Sequence, residues 1–516
     1  MKINIIGAGV AGLSTGCYLQ MNGFETEIFE RHTTFGGLCT NWNRKGYTFE
    51  SGFQWLLGSN SQNPFYLLWS ELIDMKSLHF IHHKTRMDIE VRDCVDRFGS
   101  NVFHLYTNLD RFEEYLLSLA PEDKKPITQF IRSIRKMQHY EIPPMIREVP
   151  DILPLNRKIR FARYLPLLLF LNRVRKETNI TFAAKLRNPF LKEVFVQFFG
   201  GDELPLLIHT LPLAFNDRNA TGYPAGGSVS FVGNIEKRYL ELGGKIRYDG
   251  EVEKIVTEQN RAVALLLKTG ELIASDITVS AADWHFTIFD ALEGKYVNDT
   301  ILKLSIQERL KVYYSVFVVS LGVAADYSQV PPFMRFPLNR KLVSPDGTEY
   351  NRMEIHLNNY DPSAAPPGKT VVYLSFYTRQ ADFWIDLREK DYHEYLKLKK
   401  DFADQIIGAA DERLPGLRSN IEVVDIATPA TFQRYTHNWK GSVQGWLPGE
   451  NIISRSPVKT VLPGLKNFFF TGHWTIPGGG LPVAIKSARD VAKIICHQEK
   501  IPFEVVPVTT AHAMVE

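Results

Sequence analysis

A glycine pattern near the N-terminus, Gly7-Ala8-Gly9-Val10-Ala11-Gly12, constrains the fold of this chain more than any other feature. It follows a short apolar run, residues 2–6, in which Ile3, Ile5 and Ile6 predict a buried strand, and it opens a stretch, residues 13–21, that predicts a helix. Each glycine has its own reason. Gly7 permits the tight turn, Gly9 lets backbone approach a pyrophosphate, and Gly12 lets helix and strand pack closely. Phosphates would rest on the open N–H groups of the helix start, around Val10 and Ala11, where the helix dipole favours anions. Gly23 predicts the helix end and residues 25–30 a second strand. Glu30 then stands at the spacing where an acid accepts a hydrogen bond from a ribose 2′-hydroxyl.

The next turn selects among dinucleotides. Glu30-Arg31 is followed by Phe35-Gly36-Gly37. A second glycine pair lets another backbone segment close over the same pyrophosphate, which the longer FAD needs and NAD does not. The acid at position 30 also disfavours the 2′-phosphate of NADP. FAD is therefore the expected cofactor. The middle of the chain holds no second G-x-G-x-x-G for NAD(P)H, so electrons are expected to come from the substrate and leave to oxygen or a quinone.

Gly36-Gly37-Leu38-Cys39-Thr40 and then Arg44-Lys45-Gly46-Tyr47-Thr48-Phe49-Glu50-Ser51-Gly52 resemble the phytoene desaturase-like flavoproteins. That superfamily includes carotenoid desaturases, carotenoid cis–trans isomerases and retinol saturases. Three further blocks are similar to it and follow in the family's order. They are Tyr223-Pro224-Ala225-Gly226-Gly227-Ser228, then Gly250-Glu251-Val252-Glu253-Lys254-Ile255 with Val279-Ser280-Ala281-Ala282-Asp283, and finally Gly472-His473-Trp474-Thr475-Ile476-Pro477-Gly478-Gly479-Gly480-Leu481-Pro482. The resemblance implies that Leu38, Val252 (by its backbone, at the adenine), Ala281, Gly472, His473, Gly479, Gly480 and Leu481 join Arg31 and the opening glycines around the FAD. Glu50 stands where the family's pattern has Asp. The closing motif departs from the Thr-His-Pro-Gly type of the bacterial phytoene desaturases.

Residues 226–228 place a glycine turn and a Ser228 N-cap before a helix over 229–242, closed by Gly243-Gly244. Residues 245–248, 252–256, 263–268 and 271–274 predict short strands, with Thr269-Gly270 as a hairpin turn. Residues 468–471 predict a last buried strand, leading through glycines to a helix over 483–495. The expected fold class is α/β: a discontinuous Rossmann-type FAD-binding domain from residues 1–60, 220–285 and 460–500, with a mixed α+β substrate-binding domain inserted as residues 61–219 and 286–459. The first insert predicts mostly helix, broken at Pro121, Pro126, Pro143-Pro144 and Pro205. The second mixes strands over 312–323 and 370–377 with an amphipathic helix over 392–410.

Charge and cysteine usage remove several classes. Lys and Arg number 60 against 57 Asp and Glu, which predicts no nucleic-acid partner. The four cysteines, Cys17, Cys39, Cys94 and Cys496, are scattered and predict neither a zinc site nor a disulfide framework, in keeping with a reducing, cytoplasmic compartment. The strand pattern begins at Lys2, which predicts no leader peptide. No apolar run nears the ~20 residues of a membrane span. The best candidate, residues 165–171, is flanked by Arg157, Lys158, Arg160 and Arg163 before it and Arg173, Arg175 and Lys176 after it. Two readings stay open for residues 157–176: a core helix with solvated ends, or a patch resting on the inner face of an anionic membrane.

The flavin would carry the reaction while the protein positions, buries and polarises it. Desaturation removes a hydride and a proton from neighbouring carbons, so a dry, mainly apolar tunnel is expected. Residues 195–199, Phe376-Tyr377, Phe383-Trp384 and residues 439–446 are candidates for its wall, with ordinary core packing as the alternative. His473 is a candidate catalytic residue because the closing motif would bring it to the flavin ring, with a packing role as the alternative. Glu50 is the second candidate, against a ribose or backbone contact. No metal is expected. Four functions compete: a desaturase or saturase acting on a polyene, isoprenoid or acyl chain; a redox-neutral isomerase using reduced FAD; an amine oxidase; and a binding protein that keeps FAD as a structural part.

Overall fold

Ile3 and Ile5 are fully buried, and the strand that carries them, Lys2–Ile6, lies at the centre of a five-stranded sheet. This computed structural model describes residues 1–51, 54–138, 165–174, 176–197, 206–448, 458–506 and 508. Glu25–Phe29 and then Lys245–Arg247 flank the central strand on one side, Ile277–Ser280 and then Phe468–Phe470 on the other, all in parallel. Three stretches remote in sequence thus build one sheet. The sheet is covered on both faces, and Lys2–Ile6, Ile277–Ser280 and Phe468–Phe470 are buried along nearly their whole length. The helices Val10–Met21, Gly227–Glu241 and Gly480–Gln498 pack on one face through Leu13, Ile235 and Ile485. An antiparallel meander, Val252–Glu258, Arg261–Leu267 and Leu272–Ala274, covers the other through Ile255 and Leu265.

A second sheet has seven strands in the order Ile421–Ala427, Ser315–Val323, Thr370–Thr378, Glu349–Asn358, Phe333–Val343, Thr85–Glu90, Val102–Tyr106. Every junction is antiparallel except that between Phe333–Val343 and Thr85–Glu90. Along each strand successive side chains alternate between faces. Met334, Phe336, Met353, Ile355 and Leu374 pack on Phe402 and Ile406 of the helix Tyr392–Arg413. Phe333, Arg335, Arg352 and Glu354 fall at the intervening positions and reach a large cavity.

The structure corrects three expectations. The described part of residues 61–219 is mostly helical as expected, but Thr85–Glu90 and Val102–Tyr106, not foreseen as strands, complete the sheet of the later block. The helix Leu109–Leu119 stops just before Pro121, but Pro126 sits in the first turn of Lys124–Met137 and breaks nothing. Proline is tolerated there because the amide it removes has no intrahelical partner. Pro143, Pro144 and Pro205 lie outside the described residues, while Pro212 lies within the helix Leu206–Asn216. Finally, Ser228 is not the N-cap of its helix; Gly226 is, at φ +83°.

Candidate active site

Three turns interlock where the parallel strands end. Gly7 N donates to the Phe29 carbonyl at 2.8 Å, Gly36 N to the Ala8 carbonyl at 3.0 Å, and Ala281 N to the Ile6 carbonyl at 3.0 Å. Gly12 serves packing within this rim. A Cβ there would lie 1.9 Å from the Gly7 carbonyl oxygen, so glycine is required for the helix to start so near the strand. Gly9 is the helix N-cap and offers no side chain to the first-turn amides, which leaves their donors without a side-chain acceptor.

Glu30 and Arg31 flank the rim. Glu30 Oε2 accepts the Ala8 N–H at 2.8 Å and Oε1 the His32 N–H at 3.0 Å, so the acid fastens the glycine turn. A carboxylate has about four lone-pair sites, so capacity remains toward the cavity. Arg31 Nη2 lies 3.5 Å from Glu251, while its Nη1 is buried and meets no acceptor. A buried donor without a partner costs about 1–3 kcal/mol. A phosphate or ribose oxygen would satisfy it. The open helix start and this orphaned donor together fit a dinucleotide.

From this rim runs a cavity of about 1260 Å³. Its wall brings together Gly7, Gly9, Val10, Ala11, Glu30, Arg31, Gly36, Gly37, Leu38, Val252 and Ala281 with Gly472, His473, Gly479, Gly480 and Leu481. Gly12 is the one expected cofactor position off that wall. The closing segment is held by its own helix: Gly472 N donates to Ser487 Oγ at 2.8 Å, and Thr475 Oγ1 donates to the Gly472 carbonyl at 2.8 Å. Gly479 adopts φ +48°, and a Cβ on it would meet the Gln444 carbonyl oxygen at 1.9 Å. Burial holds the His473 imidazole down to about 4, so it is neutral near pH 7.

Glu50 is placed elsewhere. Its Oε1 accepts the Ser228 N–H at 2.7 Å, and its Oε2 accepts the Tyr223 hydroxyl at 3.3 Å. Asp361 Oδ2 accepts the Gly226 N–H at 2.9 Å. Two acids remote in sequence therefore occupy the start of Gly227–Glu241, where the dipole favours negative charge. Burial pushes Glu50 up to about 7 against these hydrogen bonds. Its carboxylate is committed to this helix start, and Glu50 does not line the cavity.

The aromatic candidates divide. Phe376 and Tyr377 line the cavity. Phe195 is buried in the helical cluster, Trp384 behind the seven-stranded sheet, and Trp446 against Trp284 and Trp474; residues 198–199 lie outside the described ones. Sequence reasoning missed Asp283 as a wall residue. Its Oδ2 accepts the Trp439 N–H at 2.9 Å and its Oδ1 the Phe286 N–H at 2.8 Å, and burial raises it to about 7. It also missed Arg86, Arg335, Arg352 and Glu354 at the far end. Charged residues at alternate positions of an apolar strand were the available signal.

Of the basic-flanked segment, the helix Leu165–Val174 is described. Leu165 and Leu169 are 54% and 62% exposed, and Phe170 packs partly against the helical cluster. Arg157, Lys158, Arg160, Arg163 and Arg175 lie outside the described residues. No helix among the described residues is long and apolar enough to cross a membrane.

The chain belongs to the family of flavin containing amine oxidoreductases, which it matches over residues 10–496. It is an oxidoreductase of a flavin-dependent class. Its curated relatives include a phytoene desaturase (lycopene-forming) of Paracoccus sp., 24% identical with 95% of this chain and 96% of that protein covered. A chloroplastic prolycopene isomerase of Daucus carota is also 24% identical, over 92% of this chain and 77% of that protein. Among solved structures, an oxidoreductase from Methanosarcina mazei shares the fold at TM-score 0.59 and 18% identity, covering 96% of this chain and all (100%) of that one.

Proposed function

We propose that this protein is an FAD-dependent oxidoreductase that introduces or removes carbon–carbon double bonds in a hydrophobic polyene, isoprenoid or acyl chain. The observation that carries the reading is the continuity of one cavity, from the glycine rim to the inner face of the second sheet. The named activities of the curated relatives support the same class of reaction. In this reading residues 1–60, 220–285 and 460–500 form a Rossmann-type FAD domain, and residues 61–219 and 286–459 together form the substrate domain.

Bound FAD supplies a two-electron acceptor or donor, as flavins do. The chain's residues hold it and shape the space beside it. First-turn amides of Val10–Met21 and the Arg31 guanidinium would hold its phosphates and ribose, and Gly479 lets the closing loop pass close to Gln444 on the same cavity wall. His473 presents a neutral, weakly basic imidazole to the cavity. That suits it to orient groups by hydrogen bonding rather than to carry a proton through each turnover. The electron acceptor in the oxidative direction is oxygen or a quinone.

Anaerobic mixing of the flavin-loaded protein with polyenes tests the reading. Bleaching of the flavin by a polyene, with a product two mass units lighter (about 2 Da, one hydride and one proton), is the expected result. Bleaching by amines alone would make it an amine oxidase. The likeness to a prolycopene isomerase favours one second reading, redox-neutral isomerisation; it requires activity only after flavin reduction and a product of unchanged mass. In this reading a cytoplasmic protein would collect its substrate at a membrane surface, and the exposure of Leu165 and Leu169 supports such a contact. Flotation with anionic vesicles should be lost when Arg160, Arg163 and Arg173 become Glu; no flotation of the unmodified protein sinks that proposal.

A further inference from the structure

A second, smaller cavity of about 450 Å³ adjoins the large one, and among the described residues the two share just His83 and Phe333 in their walls. A side chain that lines two cavities stands between them. Both rings are braced. Phe333 is buried and stacks on His356, its register partner in the next strand, with ring centres 4.5 Å apart. The His83 ring stands edge-on to Phe333 at 5.4 Å and to Tyr360 at 4.6 Å. Tyr360 is tied in turn to His356, whose Nε2 lies 2.9 Å from its hydroxyl oxygen. The backbone is held as well. Thr107 Oγ1 donates to the His83 carbonyl at 2.8 Å, and Leu357 N donates to the Pro332 carbonyl at 2.8 Å. Close packing leaves such rings little room to turn aside. Burial, with His82 and Arg86 adding to it, holds the His83 imidazole down to about 4, so the ring is uncharged near pH 7. Beyond the pair, Lys84, Asp88, His104 and Arg111 bound the second cavity, and Lys84 and Arg111 are exposed to solvent.

We propose that His83 and Phe333 form a stop that limits how long a chain the site accepts. The inference rests on the double-bond chemistry proposed above and adds the length of the chain on which it acts. In that reading the large cavity holds FAD as well as the chain, so where this partition stands sets the space left for substrate. An apolar end that passed the two rings would meet charged groups and solvent, so the rings are where a hydrocarbon finishes. Each methylene buried before them contributes to binding, and one without room stays in water.

The test is a binding comparison on the flavin-loaded protein, read from the flavin absorbance and needing no turnover. Probes come in pairs that differ mainly in length: phytoene with the shorter diapophytoene, and methyl erucate with the shorter methyl oleate. In a pair that binds, His83→Ala should raise the affinity for the longer member relative to the shorter by about tenfold, the worth of about two buried methylene groups. Phe333→Leu should act in the same sense, and His83→Trp, which thickens the partition, in the opposite one. The flavin spectrum should stay as in the unmodified protein, which shows that the variants fold. A ratio unmoved by both His83 substitutions, or moved the same way by both, overturns the inference. If no probe perturbs or bleaches the flavin of the unmodified protein, the double-bond reading fails and the inference falls with it, an outcome distinct from a ratio that stands still.

Discussion

At the scale of single residues, burial shifts Glu50 up and His473 down, and both shifts favour the uncharged form. Glu50 rises from 4.5 to about 7 because burial disfavours its charge more than the Ser228 and Tyr223 hydrogen bonds favour it. Between those values the unfolded chain ionises while the folded one keeps its proton. Stability present below pH 4.5 is therefore lost as pH rises through about 7. The shift corresponds to about 3 kcal/mol. Glu50→Gln keeps an acceptor for Ser228 and removes the titration, so its melting temperature should vary less over that window; an unchanged slope would assign the effect elsewhere, for instance to Asp283, which is raised to a similar value. For His473, held near 4, the expected kcat–pH profile has no limb at the ordinary imidazole value. His473→Ala should keep its flavin and turn over about tenfold more slowly, the low end for a positioned group. A limb near pH 6.5 that vanishes in this variant would restore a proton-carrying role. Glu30 and Arg31 were legible in the sequence because their place is set by spacing from the glycines. Arg335 and Arg352 were not, since a charge at alternate strand positions reads as a solvated face until the cavity beneath it is known.

At the scale of elements, the strand–turn–helix opening was legible because every step has a local cause: apolar residues, then glycines, then a helical run. Gly12 puts the sharpest condition on it. A methyl group there would overlap the Gly7 carbonyl, so Gly12→Ala should lose about 1–3 kcal/mol, as overpacked sites do, and release the flavin on gel filtration. A variant that melts and holds flavin normally would mean that the helix can shift without disturbing the rim. The start of Gly227–Glu241 was misread for a different reason. Ser228 has the right chemistry for a cap, but Glu50 and Asp361 arrive from far along the chain and take the amides themselves. Thr85–Glu90 was missed although Met87 and Ile89 alternate with polar neighbours; six residues are a short sample in a block otherwise rich in helix.

At the scale of the molecule, the sequence motifs placed the pieces that build the parallel sheet, because the glycine turns mark where its strands end. They said nothing of the seven-stranded sheet, in which Thr85–Glu90 pairs with Phe333–Val343 across more than two hundred residues. Between these two sheets the chain passes back and forth: out after Glu25–Phe29, back before Lys245–Arg247, out after Ile277–Ser280, and back before Phe468–Phe470. Four such crossings join the two sheets, and we expect them to keep the sheets from swinging apart. Small-angle scattering of the flavin-loaded protein should give the same radius of gyration with and without a bound polyene, and a contraction on binding would refute this. A long, greasy molecule must then go in like a thread through a needle's eye, leading end first. Width at the mouth and length to the far wall, rather than a closing jaw, decide what is admitted.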